Sequence, residues 1–141
     1  NFIPIIETTL DLYKEEDVII SIMNACNNEA LIIADKDQLS RVFNNLIKNA
    51  IQAIPSTIEG KINVVITEEE LNFLVEIKDN GSGISEDKKD KIFVPNFTTK
   101  STGMGLGLAM VKNIIENANG SIWFETKEEI GTSFFIKFPK A

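Results

Sequence analysis

The feature that most constrains the fold is a strongly amphipathic segment, DQLSRVFNNLIKNAIQAI, at residues 37–54. Its apolar residues recur at spacings of three and four, which predicts a helix with one continuous apolar stripe. The stripe consists of Leu39, Val42, Phe43, Leu46, Ile47, Ala50, Ile51 and Ile54. Asp35 or Asp37 is the expected N-cap, and Pro55 is expected to end the helix because proline cannot continue it. Such a helix needs a second layer on which to bury its stripe.

Apolar segments on both sides of this helix predict that second layer. Two expected strands, DVIISIMNA and EALIIA, precede the helix; KINVVITEE and LNFLVEIKDN follow as a hairpin, and SIWFETKE and TSFFIKFP form the last pair. Further helices are predicted at residues 2–14 and from the glycine-rich stretch to about Asn117, closed by Asn119 and Gly120. We expect a two-layer α/β (α+β) sandwich, with a mixed, mostly antiparallel sheet of about five strands covered on one face by about three helices.

Composition and charge exclude several classes of function. The chain has 141 residues, enough for one domain with a full core, and its net charge of −7 argues against a nucleic-acid-binding surface. It contains no histidine, which excludes a serine–histidine–aspartate triad or a histidine-ligated zinc within the chain. Cys26 is the single cysteine, so no internal disulfide can form. The sequence shows no signal peptide and no apolar run long enough to span a bilayer.

The glycine-rich stretch STGMGLGLAMVKNII, residues 101–115, is typical of a phosphate-binding site. Backbone N–H groups at the start of a helix point at an anion, and the helix dipole favours negative charge there. The spacing of Gly103, Gly105 and Gly107 does not fit the P-loop, the dinucleotide fingerprint or the protein-kinase glycine loop. These glycines therefore have to be interpreted together with the rest of the chain.

The amphipathic helix carries two asparagines one turn apart, Asn45 and Asn49, with Gln52 close by. Asparagine is unfavourable inside a helix because its amide competes for backbone hydrogen bonds. One interpretation is a solvated polar face. The other is a pair of neutral oxygen ligands for one Mg²⁺ ion, which would keep water and substrate phosphate oxygens as its other ligands.

The stretch DNGSGI, residues 79–84, directly follows a predicted strand. Asn-Gly and Ser-Gly are both turn signals, so an ordinary turn is one interpretation. In the other, Asp79 is held in place at the strand end and accepts a hydrogen bond from an exocyclic amino group such as that of adenine. Gly81 and Gly83 would then allow the backbone and Ile84 to lie close to a flat ring.

Two further stretches are ambiguous when taken alone. In KIFVPNFTTK, Phe93 and Phe97 stand four residues apart, a spacing that is common among core residues. Lys100, next to the glycine-rich stretch, is a candidate contact to terminal phosphates. Before the last strand, Gly131 and Thr132 are either a hairpin turn or a further part of the same site.

The order of these motifs is more specific than any one of them. Asn-x-x-x-Asn on a helix, Asp-x-Gly-x-Gly, phenylalanine with a Thr-Thr-Lys loop, Gly-x-Gly-x-Gly and finally Gly-Thr resembles the ATP-binding domain of two-component sensor histidine kinases. That domain belongs to a superfamily shared with type II topoisomerases, heat-shock chaperone ATPases and mismatch-repair ATPases. The resemblance covers nearly the whole chain, from Asp17 to Pro139, and NAIQAI and FTTK resemble the nitrogen-regulation and sporulation branch.

The resemblance implies that ATP and Mg²⁺ are bound, and it assigns a role to each motif. Asn45 and Asn49 would hold the metal, and Asp79 would accept from the adenine amino group. The nucleotide-binding residues that it implies are Asn45, Asn49, Asp79, Gly81, Gly83, Ile84, Phe97, Thr99, Lys100, Gly103, Gly105, Leu106, Gly107, Leu108 and Thr132. Residues 85–104 would form a lid over the nucleotide, with the glycines as its C-terminal hinge.

Two departures from the family pattern bear on mechanism. Many members carry Lys or Arg and then an aromatic residue where this chain has Gln52 and Ala53, so Lys100 is expected to meet the phosphate charge instead. Hydrolytic relatives have glutamate at the position of Asn45, where it activates water, and an uncharged amide cannot do this. The resemblance therefore implies transfer of the γ-phosphoryl group to another nucleophile.

In the family that nucleophile is a histidine on a preceding dimerisation domain, so no catalytic residue is assigned within this histidine-free chain. Residues 1–16 are expected to be a helical connection from that domain, and residues 17–141 the ATP-binding kinase domain. The implied partners are the dimerisation domain and a response regulator receiver domain, without nucleic acid. We expect a monomeric fragment of a homodimeric parent in the cytoplasm, as a cytoplasmic protein or the cytosolic part of a membrane-bound sensor. The alternative is an ATP-hydrolysing or nucleotide-gated, anti-sigma-like member of the same superfamily.

Overall fold

The computed structural model describes residues 1–27, 29–94 and 104–141, with side chains in the last range described from Gly107 onward. Within these ranges the chain forms three α-helices, five strands and a short 3-10 helix at Lys89–Lys91. The helices are α1 (Ile3–Asp11), α2 (Lys36–Ala53) and α3 (Met104–Asn117). The strands are β1 (Val18–Asn24), β2 (Gly60–Glu68), β3 (Asn72–Asp79), β4 (Ser121–Lys127) and β5 (Gly131–Pro139).

The strands form one mixed sheet in the order β1-β2-β3-β5-β4. β1 runs parallel to β2, and the other neighbouring pairs are antiparallel, so the predicted mostly antiparallel sheet is confirmed. The β2–β3 and β4–β5 hairpins also lie where the alternating segments predict them. Among the described residues, no helix is long and apolar enough to cross a membrane.

The core lies between one face of the sheet and the three helices. α2 contacts β2 and β3 and lies between α1 and α3, and it buries most of its apolar stripe. The sheet residues in this core are Ile62, Val64, Ile66, Phe73, Val75, Ile77, Phe134, Ile136 and Phe138, which alternate along β2, β3 and β5. The predicted two-layer sandwich, with its helices on one face, is therefore confirmed.

The first helix is packed into this same core. Phe2 is buried, and its ring centroid lies 5.6 Å from that of Phe73 and 5.6 Å from that of Phe138. The Tyr13 hydroxyl, just after α1, donates a hydrogen bond to Oδ1 of Asn44 on α2. These contacts make α1 part of the packing of this domain, while its role as a connection to another domain stays a prediction.

The ends of α2 and α3 follow their sequence signals. Asp35, and not Asp37, is the N-cap of α2, since its Oδ1 accepts from the Gln38 N–H at 3.0 Å. Beyond α3, Asn119 adopts a left-handed conformation with φ of 62°, and the Gly120 N–H donates back to the carbonyl of Ile115 at 2.9 Å. The predicted closing of α3 at Asn119 and Gly120 is confirmed.

The prediction of a strand over EALIIA, residues 29–34, is wrong. The carbonyl of Ala30 accepts from the Phe2 N–H at 3.0 Å, and that of Leu31 accepts from the Ala141 N–H at 2.9 Å. The segment therefore pairs with single residues at the two ends of the described chain and not with a strand of the sheet. Its apolar character reflects partial burial there, because Ala30 is fully buried while Ile33 is 80% exposed.

Candidate functional site

Asp79, the last residue of β3, is the buried carboxylate of the site. Strand alternation places its side chain on the same face as Val75 and Ile77, so it faces the helices and is only 4% exposed. Its Oδ1 accepts from the N–H groups of Gly81 at 2.8 Å and Thr132 at 3.4 Å. Burial raises the pKa of this carboxyl above its usual range, and the two backbone hydrogen bonds oppose that rise. Since both bonds use Oδ1, Oδ2 is left for a ligand.

The first half of the DNGSGI loop is anchored to β2 and α2. The Asn80 side chain accepts from the Lys61 N–H at 2.8 Å and donates through Nδ2 to the carbonyl of Glu59 at 2.9 Å. The Ser82 N–H donates to the carbonyl of Ala53, the last residue of α2, at 2.9 Å. These bonds tie the loop to β2 and to the end of α2, whose bonding residues precede it by 19 to 29 positions in the chain, and a simple surface turn would not require them.

The second half of the loop lies against the β4–β5 hairpin. The Ile84 N–H donates to Oγ1 of Thr126 on β4 at 2.9 Å. Gly83 has a φ of +76°, and a Cβ at this position would collide with the carbonyl of Lys127, so only glycine fits without strain. The loop beside Asp79 is thus held by hydrogen bonds to β2, α2 and the β4–β5 hairpin.

Thr132 brings a hydroxyl group next to that carboxylate. It pairs with Asp79 across the β3–β5 ladder, faces the same side of the sheet and is 4% exposed. Its Oγ1 lies 2.8 Å from Oγ1 of Thr126, the residue opposite it on β4. The end of the sheet therefore presents one buried carboxylate and one buried hydroxyl side by side.

Asn49 on α2 carries a buried polar atom without a partner. The residue is 6% exposed, and its Nδ2 has no hydrogen-bond partner among the described residues. Leaving such a group unpaired costs about 1–3 kcal/mol, and native structures rarely do so without a reason. Because an amide can be flipped to present its oxygen instead, this position fits either a donor or a metal ligand. The burial argues against the solvated polar face as an explanation of Asn49.

Asn45 lies one turn earlier on α2, where it contacts α3. It is half-buried, and its Nδ2 donates to the carbonyl of Arg41 at 3.4 Å. Its Oδ1 lies directly against Gly107, so that a Cβ at residue 107 would collide with it. Glycine at this position therefore allows α3 to approach the asparagine side of α2.

The rest of the glycine-rich stretch is described only in part. Gly105 and Leu106 belong to the first turn of α3, where backbone N–H groups lack partners within the helix. Leu108 is a buried core residue, so only its backbone is available to a ligand. Four predicted site residues lie outside the described residues, namely Phe97, Thr99, Lys100 and Gly103. Phe93 packs as a core residue, with its ring centroid 6.1 Å from that of Phe124.

The site residues lie in line along α2. A Cβ on Gly81 would lie 2.5 Å from the carbonyl oxygen of Ala53, so the Asp79 end of the site meets the last turn of the helix. Asn49 is one turn before Ala53 and Asn45 two turns before it, which spans about 12 Å. An elongated ligand can therefore contact Asp79 at one end and the start of α3 at the other. The described residues contain no cluster of three or more Asp, Glu, His or Cys residues suited to a metal, so a cation here would rely on the amides and on the ligand.

Sequence reasoning missed Thr126 and Asn80. Asn80 appeared only as half of a turn signal, yet its side chain anchors the loop to β2. Thr126 lies directly opposite Thr132 in the hairpin register, so counting back through the turn from Thr132 could have identified it. The other predicted residues of the described part lie around Asp79 or along α2 and the start of α3.

Comparison with known families identifies the family to which the chain belongs. Residues 34–141 match the family described as histidine kinase-, DNA gyrase B- and HSP90-like ATPases, and the chain belongs to this family. Sporulation kinase A of Bacillus subtilis (strain 168) is 46% identical over 109 residues, which cover 77% of this chain and 18% of that protein. Sensor histidine kinase ZraS of Escherichia coli (strain K12) is 44% identical over 108 residues, which cover 77% of this chain and 23% of that protein. The chain thus spans about a fifth of the length of these curated relatives.

Solved structures give the same result for the fold. The nucleotide-free catalytic domain of histidine kinase ThkA superposes with a TM-score of 0.83 at 34% identity, over 97% of this chain and 91% of that one. A longer ThkA chain, solved in complex with the response regulator protein TrrA, superposes with a TM-score of 0.79 at 31% identity, over 100% of this chain and 41% of that one. The predicted resemblance to the ATP-binding domain of sensor histidine kinases is confirmed, and these relatives favour it over the anti-sigma-like alternative.

Proposed function

We propose that this domain binds Mg-ATP and transfers the γ-phosphoryl group to a histidine on a separate dimerisation domain, which then phosphorylates a response regulator. The observation that carries the proposal is the pairing of Asp79 with Thr132 at the end of the sheet, in line with the unpaired amide of Asn49 on α2. That arrangement would offer a base-reading end and a metal- or phosphate-binding end along the same helix.

At the base-reading end, Asp79 would accept a hydrogen bond from the exocyclic amino group of adenine. The carboxylate is suited to this because its Oδ1 is already occupied by two backbone N–H groups, which leaves Oδ2 for the base. The ring would lie on a surface formed by Gly81, Gly83 and Ile84. The backbone hydrogen bonds of Ser82 and Ile84 hold this loop in place. Thr132 would supply the second polar contact to the base.

At the other end, Asn45 and Asn49 would hold Mg²⁺. The unpaired Nδ2 of Asn49 fits this role, since rotation of the amide would turn its oxygen to a cation and remove the unsatisfied donor. When bound, the ion supplies charge neutralisation at the phosphate oxygens. The first N–H groups of α3, at Gly105, Leu106 and Gly107, would bind the phosphates, and Lys100 would add a positive charge.

The chain contributes positioning rather than acid–base chemistry to the transfer. A ring nitrogen of the incoming histidine would attack the γ-phosphorus, the bond to the bridging oxygen would break, and ADP would leave with that electron pair. The ring proton of the histidine passes to solvent. Because Asn45 carries an amide where a base would have to stand, water is not activated and hydrolysis is slow.

The comparisons support this proposal at the level of the domain. ThkA, a histidine kinase with a similar catalytic domain, has been solved in complex with a response regulator, so a receiver domain is the partner that we propose for the parent of this chain. We propose a homodimeric parent whose dimerisation domain bears the histidine, with residues 1–16 as the connection and residues 85–104 as a lid over the nucleotide. ATP is abundant in the cytosol, which is the compartment that we propose for the reaction.

The test is calorimetric titration of the domain with ATP, ADP and GTP, with and without Mg²⁺, followed by supply of the histidine-bearing domain of the parent in trans. We expect selective adenine-nucleotide binding, tighter with Mg²⁺ for ATP, and label transfer from the γ-phosphate of ATP to the added domain. Steady hydrolysis without transfer would support the ATPase alternative. Tight ATP binding without either reaction would support a nucleotide-gated binding module instead.

A further inference from the structure

We infer that Thr126 is a positioning residue for base selection: it fixes the hydroxyl of Thr132 so that this hydroxyl donates to the ring nitrogen of adenine beside its amino group. The inference rests on the proposed function and adds to it a residue that touches neither base nor phosphate. Thr126 lies on β4 and is half-buried behind Thr132.

Three groups surround the hydroxyl oxygen of Thr126. The Ile84 N–H lies at 2.9 Å, Oγ1 of Thr132 at 2.8 Å and the carbonyl oxygen of Gly131 at 3.3 Å. Thr126 therefore connects the loop on which the base would lie with the side chain that would read its edge. No other described side chain bonds to both.

The direction of these hydrogen bonds follows from counting protons. The Ile84 N–H can only donate, so it takes a lone pair of Thr126. The single hydroxyl proton of Thr126 then goes either to Thr132 or to the carbonyl of Gly131. The distance of 2.8 Å to Thr132 is the usual length of an O–H···O bond, whereas 3.3 Å to Gly131 is beyond it. Either threonine could be the donor of the shorter bond, and our inference assigns the Thr126 proton to it.

This assignment decides what Thr132 presents to a ligand. One lone pair of its oxygen is then taken by Thr126, which leaves its own proton for another acceptor, and Asp79 is the residue that pairs with Thr132 across β3 and β5. Asp79 therefore offers a hydrogen-bond acceptor and Thr132 a hydrogen-bond donor. Adenine presents the matching amino donor and ring-nitrogen acceptor, whereas guanine presents a carbonyl acceptor and an N–H donor in the reversed order. Guanine would leave both buried groups mismatched, which is the stronger form of discrimination.

Without the Thr126 hydroxyl, two things change together. The Ile84 N–H loses its acceptor, and the side chain of Thr132 loses the bond that fixes its rotamer. The Thr132 hydroxyl is then free to turn to another acceptor, so its bond to the ring nitrogen is no longer prepared in advance. A purely structural role of Thr126 would lower stability or affinity for every nucleotide equally, whereas a positioning role affects the ring nitrogen selectively.

The experiment measures the affinities of two ligands, ADP and 1-deaza-ADP, for two proteins, the wild-type domain and Thr126→Val. 1-Deaza-ADP lacks the ring nitrogen, so the four values form a double-mutant-type cycle. Replacing ADP by 1-deaza-ADP should weaken binding to wild type about fivefold, the value of one hydrogen bond. The same replacement should weaken binding to Thr126→Val by less than about twofold. Thr126→Ser keeps the hydroxyl, so replacing ADP by 1-deaza-ADP should again weaken binding about fivefold, as in wild type.

Thr67→Val is the matched control, because Thr67 is also a strand threonine but is exposed on β2. It should leave both affinities unchanged. Thermal unfolding without nucleotide reports whether each variant is folded, and Thr126→Ala replaces Thr126→Val if valine does not fit. If a folded variant without the Thr126 hydroxyl loses as much affinity as wild type when ADP is replaced by 1-deaza-ADP, the inference is overturned and the proposed function is not affected. Wild-type protein that binds GDP as tightly as ADP overturns the proposed function and the inference with it.

Discussion

The two ends of the row of candidate site residues along α2 differ in how their polar groups are paired. At the Asp79 end, the carboxylate, the Thr132 hydroxyl and the following loop are held by hydrogen bonds within the protein. At the asparagine end, Asn49 is buried with an unpaired Nδ2, and Asn45 lies against the close approach of α3 at Gly107. At the first end the polar groups are paired within the protein apart from Oδ2 of Asp79, whereas at the second end Nδ2 of Asn49 has no partner among the described residues.

The difference determines whether a substitution mainly changes ligand affinity or also changes the stability of the free domain. A site whose donors and acceptors are already fixed binds a flat base with little reorganisation. An unpaired amide costs about 1–3 kcal/mol of stability in the free protein, and a ligand that pairs it recovers this energy as binding. Asp79→Asn at the first end should therefore lower affinity without preventing folding, while Asn49→Leu at the second should change affinity and stability in opposite directions.

The largest effect is expected for Asp79→Asn. The asparagine Oδ1 still accepts from Gly81 and Thr132, so the domain should fold, but Nδ2 would place a donor against the adenine amino group. Affinity for ADP should fall by about 100-fold or more, from the loss of a charge-assisted bond and the new mismatch. Calorimetry measures the affinity, and circular dichroism checks the fold. A loss of less than about fivefold in the folded variant would contradict the role of Asp79 as the base-reading group.

A substitution at Asn49 should separate stability from binding. In Asn49→Leu, the unpaired amide is replaced by an apolar group of similar size, so the free energy of unfolding without nucleotide should rise by about 1 kcal/mol. The Mg²⁺-dependent affinity for ATP should fall about tenfold. Both are measured on one sample series, by denaturant unfolding and by titration with and without Mg²⁺.

Asn44→Leu is the control for this substitution on the same helix. Asn44 accepts a hydrogen bond from the Tyr13 hydroxyl, so its loss should lower stability by about 1 kcal/mol and leave nucleotide affinity nearly unchanged. If Asn49→Leu behaved like Asn44→Leu, the unpaired amide would have no part in ligand binding.

A smaller effect is expected where α3 approaches Asn45. Alanine in place of glycine favours a helix by up to about 1 kcal/mol, but the new methyl group of Gly107→Ala would collide with Oδ1 of Asn45. We expect no gain in stability and a loss of ATP affinity of about threefold, as Asn45 turns away. In the double variant with Asn45→Ala the collision is absent, so the helix gain should return. Additive unfolding energies in this double-mutant cycle would show that the two residues do not interact.

The smallest effect is a dependence of stability on pH from Asp79. Its pKa in the folded domain is raised by burial, while in the unfolded chain it has the ordinary value of about 4. Between these two values the folded protein keeps a proton that the unfolded chain has released, so stability decreases as pH rises and is constant above the folded pKa. Adenine binding should change in the opposite sense, because it requires the carboxylate.

Unfolding of wild type and Asp79→Asn without nucleotide, compared over this pH range, measures that contribution. The difference between the two proteins should change with pH only in the window above about pH 4 and be flat at higher pH. A difference that is flat throughout would mean that burial does not shift the titration of Asp79.

Much of the fold could be predicted from local patterns. The stripe on α2, the alternation in β2 and β3, the Pro55 stop and the closing of α3 at Asn119 and Gly120 each depend on residues close in sequence. Local patterns do not choose between Asp35 and Asp37 as the N-cap, because both have a suitable side chain, and the structure has Asp35 there. EALIIA was predicted wrongly, since its apolar residues pack beside the chain ends instead of in the sheet.

The order of the motifs along the chain is enough to indicate an ATP-binding domain and to name most residues of its candidate site. Three features of the site depend on the packing of distant elements: Nδ2 of Asn49 is buried without a partner among the described residues, Asn45 lies against Gly107, and Thr126 bonds to Thr132. The physical reason is distance along the chain. Helix and strand patterns arise from neighbours within a few residues, whereas burial and hydrogen-bond pairing depend on which elements pack together.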